Sequence, residues 1–550
     1  MNDRAVAPPT ARAARQGRIA LLVLIFALLS VLKLVHAPPP DYYGPDGSTY
    51  FQVARHVYEG DGLRTSVSLY HQGLKDLPSP TTIYPLWPLL LGFAGRLLGL
   101  ERAARVLPEL LYLIDLALLY ALSNRLARAW SQGEARIFRR VPIDLGHLAV
   151  LLFGLNLVFF RYSSLPYTDP LALGLTFAAL LALARHLETC SVALAAASGA
   201  LAAAAYLART QMIVVPVAVI MTLAFAGRRG AARRRAALVA ALAAAVVVLP
   251  WFVFLASFVR DPQPMMLVDV FTVHRETPEI APVAWVAAPR SITALAGQVL
   301  TGLRVAFSPR GASYVKSFGV VAYAVPLALL ALVLSARLRA AFAHSRERAA
   351  IAGTALCGLG LAVMANAAHS ESDFARLWSF DHRHGLPFVV LVVSALACLL
   401  GTTSASGALA TPGSRTGRVL RTCALALVAL TLIAALWRLP ELLAPRGRGP
   451  TGTERALAQW LDTQPSPPVV IARRASRLAA MSRARFHWIA CSDEPEVTRQ
   501  LFRHAGAQYV VARRSDRRCG FLRGLAPELE SVATFRGDGP VLELFRWRGP

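Results

Sequence analysis

The hydrophobic residues of this 550-residue chain are gathered into long apolar runs, and the longest, 236–257, contains no charged residue. A helix of about 20 apolar residues crosses a hydrocarbon layer roughly 30 Å thick. The composition agrees, because 55% of the residues are hydrophobic and only 16% are charged. Soluble domains carry about 25% charged residues. The sequence therefore predicts a polytopic α-helical membrane protein.

The net charge of +26 comes almost wholly from arginine, since Lys33, Lys75 and Lys316 are the only lysines. A strongly basic chain can bind nucleic acid. Here the arginines concentrate in short segments between apolar runs, such as 125–145 and 227–235, and the positive-inside rule accounts for them. We therefore expect no nucleic-acid partner, and we expect residues 1–18 to be cytoplasmic.

Eleven apolar runs are predicted to span the membrane within a transmembrane domain of residues 19–437. The run 84–100 is a twelfth candidate, which we interpret as an interfacial or re-entrant helix. If it crossed fully, the arginine-rich loops that follow would face outward, against the positive-inside rule. The predicted spans are 19–36, 106–124, 146–160, 170–186, 191–207, 211–226, 236–257, 317–335, 350–367, 388–402 and 421–437.

This topology places every long loop on the outer face of the membrane. The cytoplasmic segments are short and hold 22 arginines against five acidic residues, so they leave no room for a catalytic domain. We therefore expect any chemistry on the outer side, in the loops 37–105, 161–169, 258–316 and 368–387 or in the tail.

The tail changes character from about residue 450 and is predicted to be a separate small α/β domain, 450–550, outside the membrane. Short apolar strands at Pro468–Ala472 and Gln508–Ala512 alternate with a helical stretch at Glu496–His504, a pattern typical of such domains. Cys491 and Cys519 both fall in this tail. Because the outer compartment is oxidising, we expect them to form a disulfide.

Two aspartates stand at loop–helix junctions of the outer side. Asp46 precedes a helical stretch from Ser48 to Tyr58, and Asp169 ends the second loop directly before Pro170. A carboxylate at a helix start is an ordinary N-cap, so each has a purely structural interpretation. The functional hypothesis is that both share one site at the membrane surface, with Asp41 as the alternative to Asp46.

These positions resemble the GT-C glycosyltransferases that use polyprenyl-phosphate-linked sugars, such as protein O-mannosyltransferases and aminoarabinose–lipid A transferases. The resemblance covers roughly residues 40–440. Gly47 stands where the family usually has a glutamate. The matching positions are Asp46, Tyr50, Arg55, Gly60, Asp61 and Gly62 in the first loop, then Tyr84–Leu100, Asp169, Arg209, Leu249–Trp251, and Arg383 with Pro387.

The resemblance implies a GT-C-like fold in the bacterial cytoplasmic membrane and a polyprenyl-phosphate-linked sugar as donor. The acceptor could be a lipid, a glycan or a protein, and membrane lipids would surround the chain. Asp46 would be the general base, and Asp169 a second carboxylate of the catalytic site. Cations would stabilise the departing phosphate; the candidates are Arg383, His384, Lys75, His274 and Arg275.

The sequence shows no metal-ligand cluster, so no metal site is predicted and a divalent ion is left open. Glu109 and Asp115 lie inside the second span, where an acid is costly and is expected to have a partner. They could belong to an ion path, as in a transporter or flippase for a lipid-linked precursor. A non-catalytic envelope-assembly protein is the third class. Large outer loops and the lack of repeat symmetry favour the transferase.

Overall fold

The apolar runs of the sequence form helices in the computed structural model. It describes residues 11–36, 43–68, 77–81, 83–131, 143–226, 231–257, 318–334, 351–360, 386–401, 415–443, 449–489, 491, 495–522 and 524–548. The first helices are α1 (Ala11–Val35), α2 (Pro45–Glu59), α3 (Leu86–Leu98), α4 (Leu100–Ser131), α5 (Leu145–Gly154), α6 (Leu157–Tyr162), α7 (Asp169–Thr189), α8 (Val192–Ala208), α9 (Val214–Ala226) and α10 (Ala231–Ala256).

The second half of the membrane region is described in shorter pieces. Short 3-10 turns occupy Thr210–Ile213, before α9, and Gly319–Tyr323. The helices are α11 (Ala324–Leu334), α12 (Ile351–Gly360), α13 (Val389–Gly401), α14 (Arg415–Trp437) and α15 (Leu439–Leu443).

Every predicted span overlaps one of these helices. By length and composition, five of the described helices can cross a membrane: Arg15–Val35, Leu100–Ala129, Asp169–Thr189, Arg234–Ala256 and Arg418–Trp437. Shorter apolar helices cover the other predicted spans. The chain is therefore a mostly helical protein with several membrane-length helices, and the count of eleven full spans stays a prediction.

One predicted span is wrong as a single helix. The run 146–160 is divided into α5 and α6, because Asn156 leaves helical geometry and its side chain accepts hydrogen bonds from the N–H groups of Val158 and Phe159. A side chain that caps a new helix start competes with continuation of the preceding helix. The apolar pattern of the run does not reveal this break.

The polar contacts between helices sort into two groups at opposite ends of the bundle. At one end, Arg125 Nε donates to Glu188 at 2.8 Å, and His147 Nε2 lies 3.0 Å from the carbonyl oxygen of Arg18. At the other end, Lys33 pairs with Glu109 at 3.2 Å. This grouping agrees with the predicted alternation of α1, α4, α5 and α7 across the membrane.

The tail contains a doubly wound sheet that mixes parallel and antiparallel strands. Its helices are α16 (Gly452–Asp462), α17 (Ala475–Ala479) and α18 (Pro495–His504), and its strands are β4 (Val469–Ala472), β5 (Arg485–Trp488), β6 (Tyr509–Arg513), β7 (Leu529–Phe535) and β8 (Leu542–Trp547). Three short strands precede them in the first loop: β1 (Arg64–Thr65), β2 (Val67–Ser68) and β3 (Ser79–Pro80). β1 pairs with β3.

The tail does not build its sheet alone, and the prediction of an independent domain is wrong in this respect. The six-stranded sheet has the order β2-β5-β4-β6-β8-β7, in which β2 of the first loop lies parallel to β5. Val67 of β2 is 1% exposed and belongs to the tail's apolar core. The pattern of a two-residue strand is too short to be recognised from sequence.

The predicted disulfide between Cys491 and Cys519 is present, with Cα atoms 4.6 Å apart. Both cysteines lie in the apolar cluster that packs α18 onto one face of the sheet. Among the described residues, Cys190, Cys357, Cys398 and Cys423 form no disulfide, as predicted for cysteines in or beside spans.

The side of the membrane on which each segment lies can be tested with single-cysteine variants. In these variants the four cysteines outside the disulfide, Cys190, Cys357, Cys398 and Cys423, are replaced by serine. We expect Gly133→Cys and Ala231→Cys to resist an impermeant thiol reagent added outside, because both fall in arginine-rich segments. Thr463→Cys in the exposed turn after α16 should react. Labelling of Gly133→Cys in sealed cells would contradict the topology.

The tail should lose stability in acid because of His487. This residue of β5 is 1% exposed, and its Nε2 has no hydrogen-bond partner among the described residues. Burial lowers the pKa of His487 to about 4. The unfolded tail takes up a proton below about pH 6.5, whereas the folded tail resists until about pH 4, so stability is complete above pH 6.5 and is lost as the pH falls toward 4.

The loss amounts to at most about 3 kcal/mol over that pH range. Hydrogen exchange of the β4–β6 amides, corrected for intrinsic rates, should show weaker protection at pH 5 than at pH 7 in the full-length protein. His487→Leu removes the titrating group, so its protection should depend much less on pH. An unchanged pH dependence in that variant would assign the effect to other groups.

Candidate active site

Asp46 lies in the first turn of α2 rather than at its cap. The helix begins at Pro45, one residue earlier than Asp46, and the N-cap position is Gly44 with a φ of 70°. Proline suits the first helical position because its φ is already helical. The N-cap interpretation of Asp46 is therefore wrong, and its carboxylate stands where a helix start favours negative charge.

Asp169 lies in the first turn of α7, with Thr168 at the N-cap position. The side chain is 3% exposed, and its Oδ1 accepts a hydrogen bond from Arg209 Nη1. Its Oδ2 is buried without a hydrogen-bond partner among the described residues. A buried carboxylate oxygen without a partner is rare and marks a position where a ligand group could bind.

Arg209 reaches Asp169 because the backbone turns at the end of α8. Its φ and ψ of −158° and 128° are extended, and the 3-10 turn Thr210–Ile213 follows. Its Nε also donates to Gln211 Oε1 at 3.2 Å. The guanidinium is thus held by two side chains, beside a carboxylate that it neutralises.

The two aspartate-bearing segments pack directly on each other. A side chain at Gly44 would meet the Tyr167 hydroxyl at 2.5 Å, and a side chain at Gly47 would meet Pro166 at 3.2 Å. The start of α2 therefore rests on the two residues that precede Thr168 and Asp169. The structure brings the two predicted aspartate segments together, as the sequence hypothesis requires.

A buried lysine forms hydrogen bonds with residues at the start of the second loop. Lys33 Nζ, at the end of α1, donates to the carbonyl oxygen of Phe160 at 2.8 Å and to Ser163 Oγ at 3.1 Å. The same ammonium pairs with Glu109 of α4 and lies 4.6 Å from the ring centroid of Tyr112. Glu109 therefore has the buried partner that the sequence predicted.

Asp115 lacks such a partner. Both of its carboxylate oxygens are buried without a hydrogen bond in the described part of the chain, and the side chain packs against Gly174 of α7. The described residues therefore do not supply the partner that was expected for Asp115. A chain of hydrogen-bonded acids, as an ion path would require, is not seen among the described residues of α4 and α7.

Aromatic side chains pack beside the end of α8. The Tyr84 hydroxyl donates a hydrogen bond to the Tyr206 hydroxyl at 3.2 Å. The ring centroids of Tyr84 and Trp251 lie 6.3 Å apart. All three are buried in one cluster with Leu207 and Leu255. They connect the segment before α3 with the Leu249–Trp251 motif and with the residues that precede Arg209.

The first loop is also tied to the tail. Arg55, on α2, donates to the carbonyl oxygens of Ala479 at 3.2 Å and Ser482 at 3.1 Å and to that of Ala480. Gln52 Nε2, one turn earlier, donates to Thr65 Oγ1 at 2.8 Å. The helix that carries Asp46 is therefore fixed both to the membrane bundle and to the sheet of the tail.

Solved structures of glycosyltransferases have a similar fold. ArnT from Cupriavidus metallidurans in the apo state matches with a TM-score of 0.55 and 16% identity, over 96% of this chain and 98% of that chain. The Archaeoglobus fulgidus oligosaccharyltransferase matches with a TM-score of 0.54 and 13% identity, over 90% and 69%. The chain has the GT-C glycosyltransferase fold.

A third GT-C structure, the mycobacterial arabinofuranosyltransferase AftD, matches with a TM-score of 0.53 and 17% identity over 97% of this chain and 40% of that chain. No protein-family model matches the sequence, and no curated protein matches it significantly. The predicted resemblance is thus confirmed at the level of the GT-C fold.

The packing around Gly47 leaves little room for a larger side chain. Pro166 lies so close that even a Cβ at position 47 would make a contact of 3.2 Å, tighter than ordinary van der Waals contact. A second acid beside Asp46 would have to displace the loop that leads to Asp169. Among the described residues, Asp46 and Asp169 are therefore the carboxylates that the α2–α7 junction provides.

One group of potential metal ligands lies at the far end of α2, away from Asp46. Ligand atoms of His56, Glu59 and Asp61 lie within 4.8 Å of one another. Both nitrogens of His56 are already engaged, Nδ1 with Asp61 at 3.0 Å and Nε2 with Ser66 Oγ at 2.7 Å. These hydrogen bonds connect the end of α2 to the loop that follows it, which gives the group a structural role.

Several predicted site residues lie outside the described residues, namely Asp41, Lys75, His274, Arg275, Arg383 and His384. Their roles therefore stay predictions. The contacts of Lys33 with the second loop and of Arg55 with the tail are not evident from the sequence. Lys33 stands out only because lysine is rare in this chain, and Arg55 only as a charged residue in the middle of a helical stretch.

Arg55 should position α2 on the tail. Arg55→Ala removes three charge-assisted hydrogen bonds to backbone carbonyls, each worth about 1.5–3 kcal/mol. We expect faster hydrogen exchange in α2 and β5 and at least a tenfold loss of any sugar-transfer activity. Arg483→Ala is the control, because its side chain is 77% exposed beside the same helix. Unchanged exchange in Arg55→Ala would contradict this role.

Proposed function

We propose that this protein is a membrane glycosyltransferase that moves a sugar from a polyprenyl-phosphate donor to an acceptor, with inversion, on the outer face of the bacterial cytoplasmic membrane. The junction of α2 with the α7 loop, which brings the segments of Asp46 and Asp169 together, carries the proposal. One neighbouring structure, ArnT, was solved bound to undecaprenyl phosphate. The archaeal oligosaccharyltransferase was solved with an inhibitory peptide and a dolichol-phosphate.

Asp46 is the proposed general base. The acceptor hydroxyl attacks the anomeric carbon, its proton passes to the Asp46 carboxylate, and the bond from that carbon to the phosphate oxygen breaks. A positioned base in the transition state contributes about 10²–10⁴-fold in rate. The place of Asp46 in the first turn of α2 supports this role, because the helix fixes the carboxylate at the junction.

Asp169 has a different proposed role, because its Oδ1 is held by Arg209. A carboxylate paired with a guanidinium gains less from accepting a proton than one without such a cation. Its buried Oδ2, which has no hydrogen-bond partner among the described residues, could instead accept a hydrogen bond from the acceptor. Asp169 therefore orients the acceptor in this proposal.

The leaving polyprenyl phosphate gains negative charge as the sugar departs, so cations near it lower the barrier. We assign this role to Arg383, His384, Lys75, His274 and Arg275, on the basis of their place in predicted outer loops. Arg383 is the central candidate, because a guanidinium binds two phosphate oxygens at once. The acceptor is a lipid, a glycan or a protein.

Asp46→Asn should abolish transfer while sparing the fold, because the amide keeps the shape of the carboxylate but cannot accept the proton. Each variant would be expressed in a deletion strain of the source bacterium, at matched membrane levels. Mass spectrometry of lipid and glycan fractions should show loss of the modified acceptor and accumulation of the donor. The expected loss of rate is about 10²–10⁴-fold.

Two controls make this experiment specific. Asp61→Asn changes a half-exposed carboxylate at the other end of α2, and it should retain near-normal transfer. Asp41→Asn tests the alternative base in the same loop. If Asp46→Asn turned over normally and Asp41→Asn did not, the base would be Asp41. If the deletion strain lacked any sugar-transfer defect, the proposed function itself would be wrong.

A further inference from the structure

The sheet of the tail has a topological switch point between β4 and β6. From β4 the chain passes to β5 on one side, and from β5 it crosses back to β6 on the other side of β4. The connecting helices lie on opposite faces, since Leu478 of α17 belongs to one apolar core and Leu501 of α18 to the other. Ligands of open α/β sheets bind outside the carboxyl ends of the strands at such a point.

Arginines gather at this switch point. Arg473 and Arg474 directly follow β4, Arg513 ends β6, and Arg477 lies on α17. With the two carboxylates Glu454 and Asp516 they form what we call the arginine crevice. Both Arg474 Nη1, at 3.4 Å, and Arg513 Nη2, at 3.8 Å, approach the same oxygen, Glu454 Oε1.

Both carboxylates of the arginine crevice accept hydrogen bonds from the surrounding arginines. Glu454 is 2% exposed, with Arg477 Nη2 at 3.0 Å from Oε2 and the Thr451 N–H at 3.1 Å. Asp516 accepts from Arg473 Nη1 at 2.6 Å and from the Arg513 N–H at 2.9 Å. Both acids are thus held by the arginines that surround them, while several guanidinium donors are not used by either acid.

The guanidinium groups are in excess. Four arginines face two carboxylates, which leaves two positive charges. Arg474 has five N–H donors, and within the described residues it uses one, in the 3.4 Å contact with Glu454. Burial and the nearby charge of Arg474 lower the pKa of Arg513. Glu454 Oε1 lies between Arg474 and Arg513, but the positive charge of the four guanidinium groups still exceeds the negative charge of the two carboxylates.

We propose that the arginine crevice of the tail binds a phosphate group. The guanidinium donors that the two carboxylates leave unused, above all those of Arg474, can hold the oxygens of a phosphate through paired, charge-assisted hydrogen bonds. Arg473 and Arg474 are 41% and 49% exposed, so the crevice is open to solvent. The phosphate is carried by a soluble molecule or by a lipid headgroup.

This site differs from the proposed catalytic site and does not depend on it. α2 contacts the tail at residues 479–482, which precede β5 and therefore lie at the amino ends of the parallel strands. The arginine crevice lies at their carboxyl ends. A bound phosphate would therefore leave the Arg55 contacts intact, and it could recruit a phosphate-bearing molecule to the outer face without taking part in the reaction.

The test uses the full-length protein in dodecyl maltoside, which contains no phosphate, and inorganic phosphate as the probe. Binding is measured from the broadening of the phosphorus-31 resonance during a titration. The double variant Arg474→Gln/Arg513→Gln should weaken the saturable component about tenfold. The control is Arg483→Gln/Arg503→Gln, which removes the same charge from exposed tail positions and should leave that component unchanged.

Three results would overturn the proposal: no saturable component in the wild type, an unchanged one in the crevice variant, or an equal loss in the control. Peptide mapping of the Cys491–Cys519 disulfide checks that each variant is folded. If the double variant is misfolded, Arg474→Lys takes its place. It keeps the charge but loses the fork, so binding should still weaken several-fold, and wild-type affinity in Arg474→Lys would contradict bidentate recognition.

The lipid composition of the membrane can distinguish a lipid headgroup from a soluble compound as the source of the phosphate group. The titration is repeated in nanodiscs of pure phosphatidylglycerol and of pure phosphatidylcholine. If a lipid headgroup is the ligand, phosphatidylglycerol should displace inorganic phosphate from the wild type but not alter the crevice variant. If a soluble phosphate compound is the ligand, the titration should be the same in both lipids.

Discussion

The buried ammonium of Lys33 is the interaction on which the rest of the candidate site depends. A charge at the edge of a lipid bilayer is costly unless partners surround it, and here it is satisfied by Glu109, by the Phe160 carbonyl and by two serine hydroxyls. These partners come from α4, from α6 and from the segment that follows α6. One lysine therefore joins three parts of the chain at the point where the loop toward Asp169 begins, and a neutral side chain there would leave Glu109 buried without its cation.

That loop in turn supports α2. Trp87 of α3 donates its indole N–H to the Pro166 carbonyl at 2.8 Å. Gly44 and Gly47, at the start of α2, pack closely on the same loop. From the other side, Arg55 holds α2 on the tail, and β2 extends the tail's sheet. α2 is thus fixed between the membrane bundle and the tail. Because the carboxylate of a catalytic base must be placed to within a fraction of an ångström, such two-sided fixation suits the role proposed for Asp46.

The sequence predicted those features that depend on composition and on local pattern. Apolar runs located the helices, Pro170 marked the start of α7, and the compartment of the tail indicated the Cys491–Cys519 pair. It missed features that depend on partners distant in the chain. A strand as short as β2 exists only because β5 offers it an edge, and Asn156 breaks a helix inside an uninterrupted apolar run. Arg209 was matched by position, but its contact with Asp169, forty residues away, is a product of the fold.

The pairing of Asp169 with Arg209 bears on the proposal that both aspartates belong to one site. Two carboxylates brought close together repel each other. Arg209 offsets the charge of Asp169, and this arrangement suits the role proposed for Asp46 as the base. Gly47 lets the loop of Pro166 approach α2, since even a Cβ at this position would lie 3.2 Å from Pro166. Gly47→Glu would therefore add negative charge beside Asp46 and also push the two aspartate segments apart.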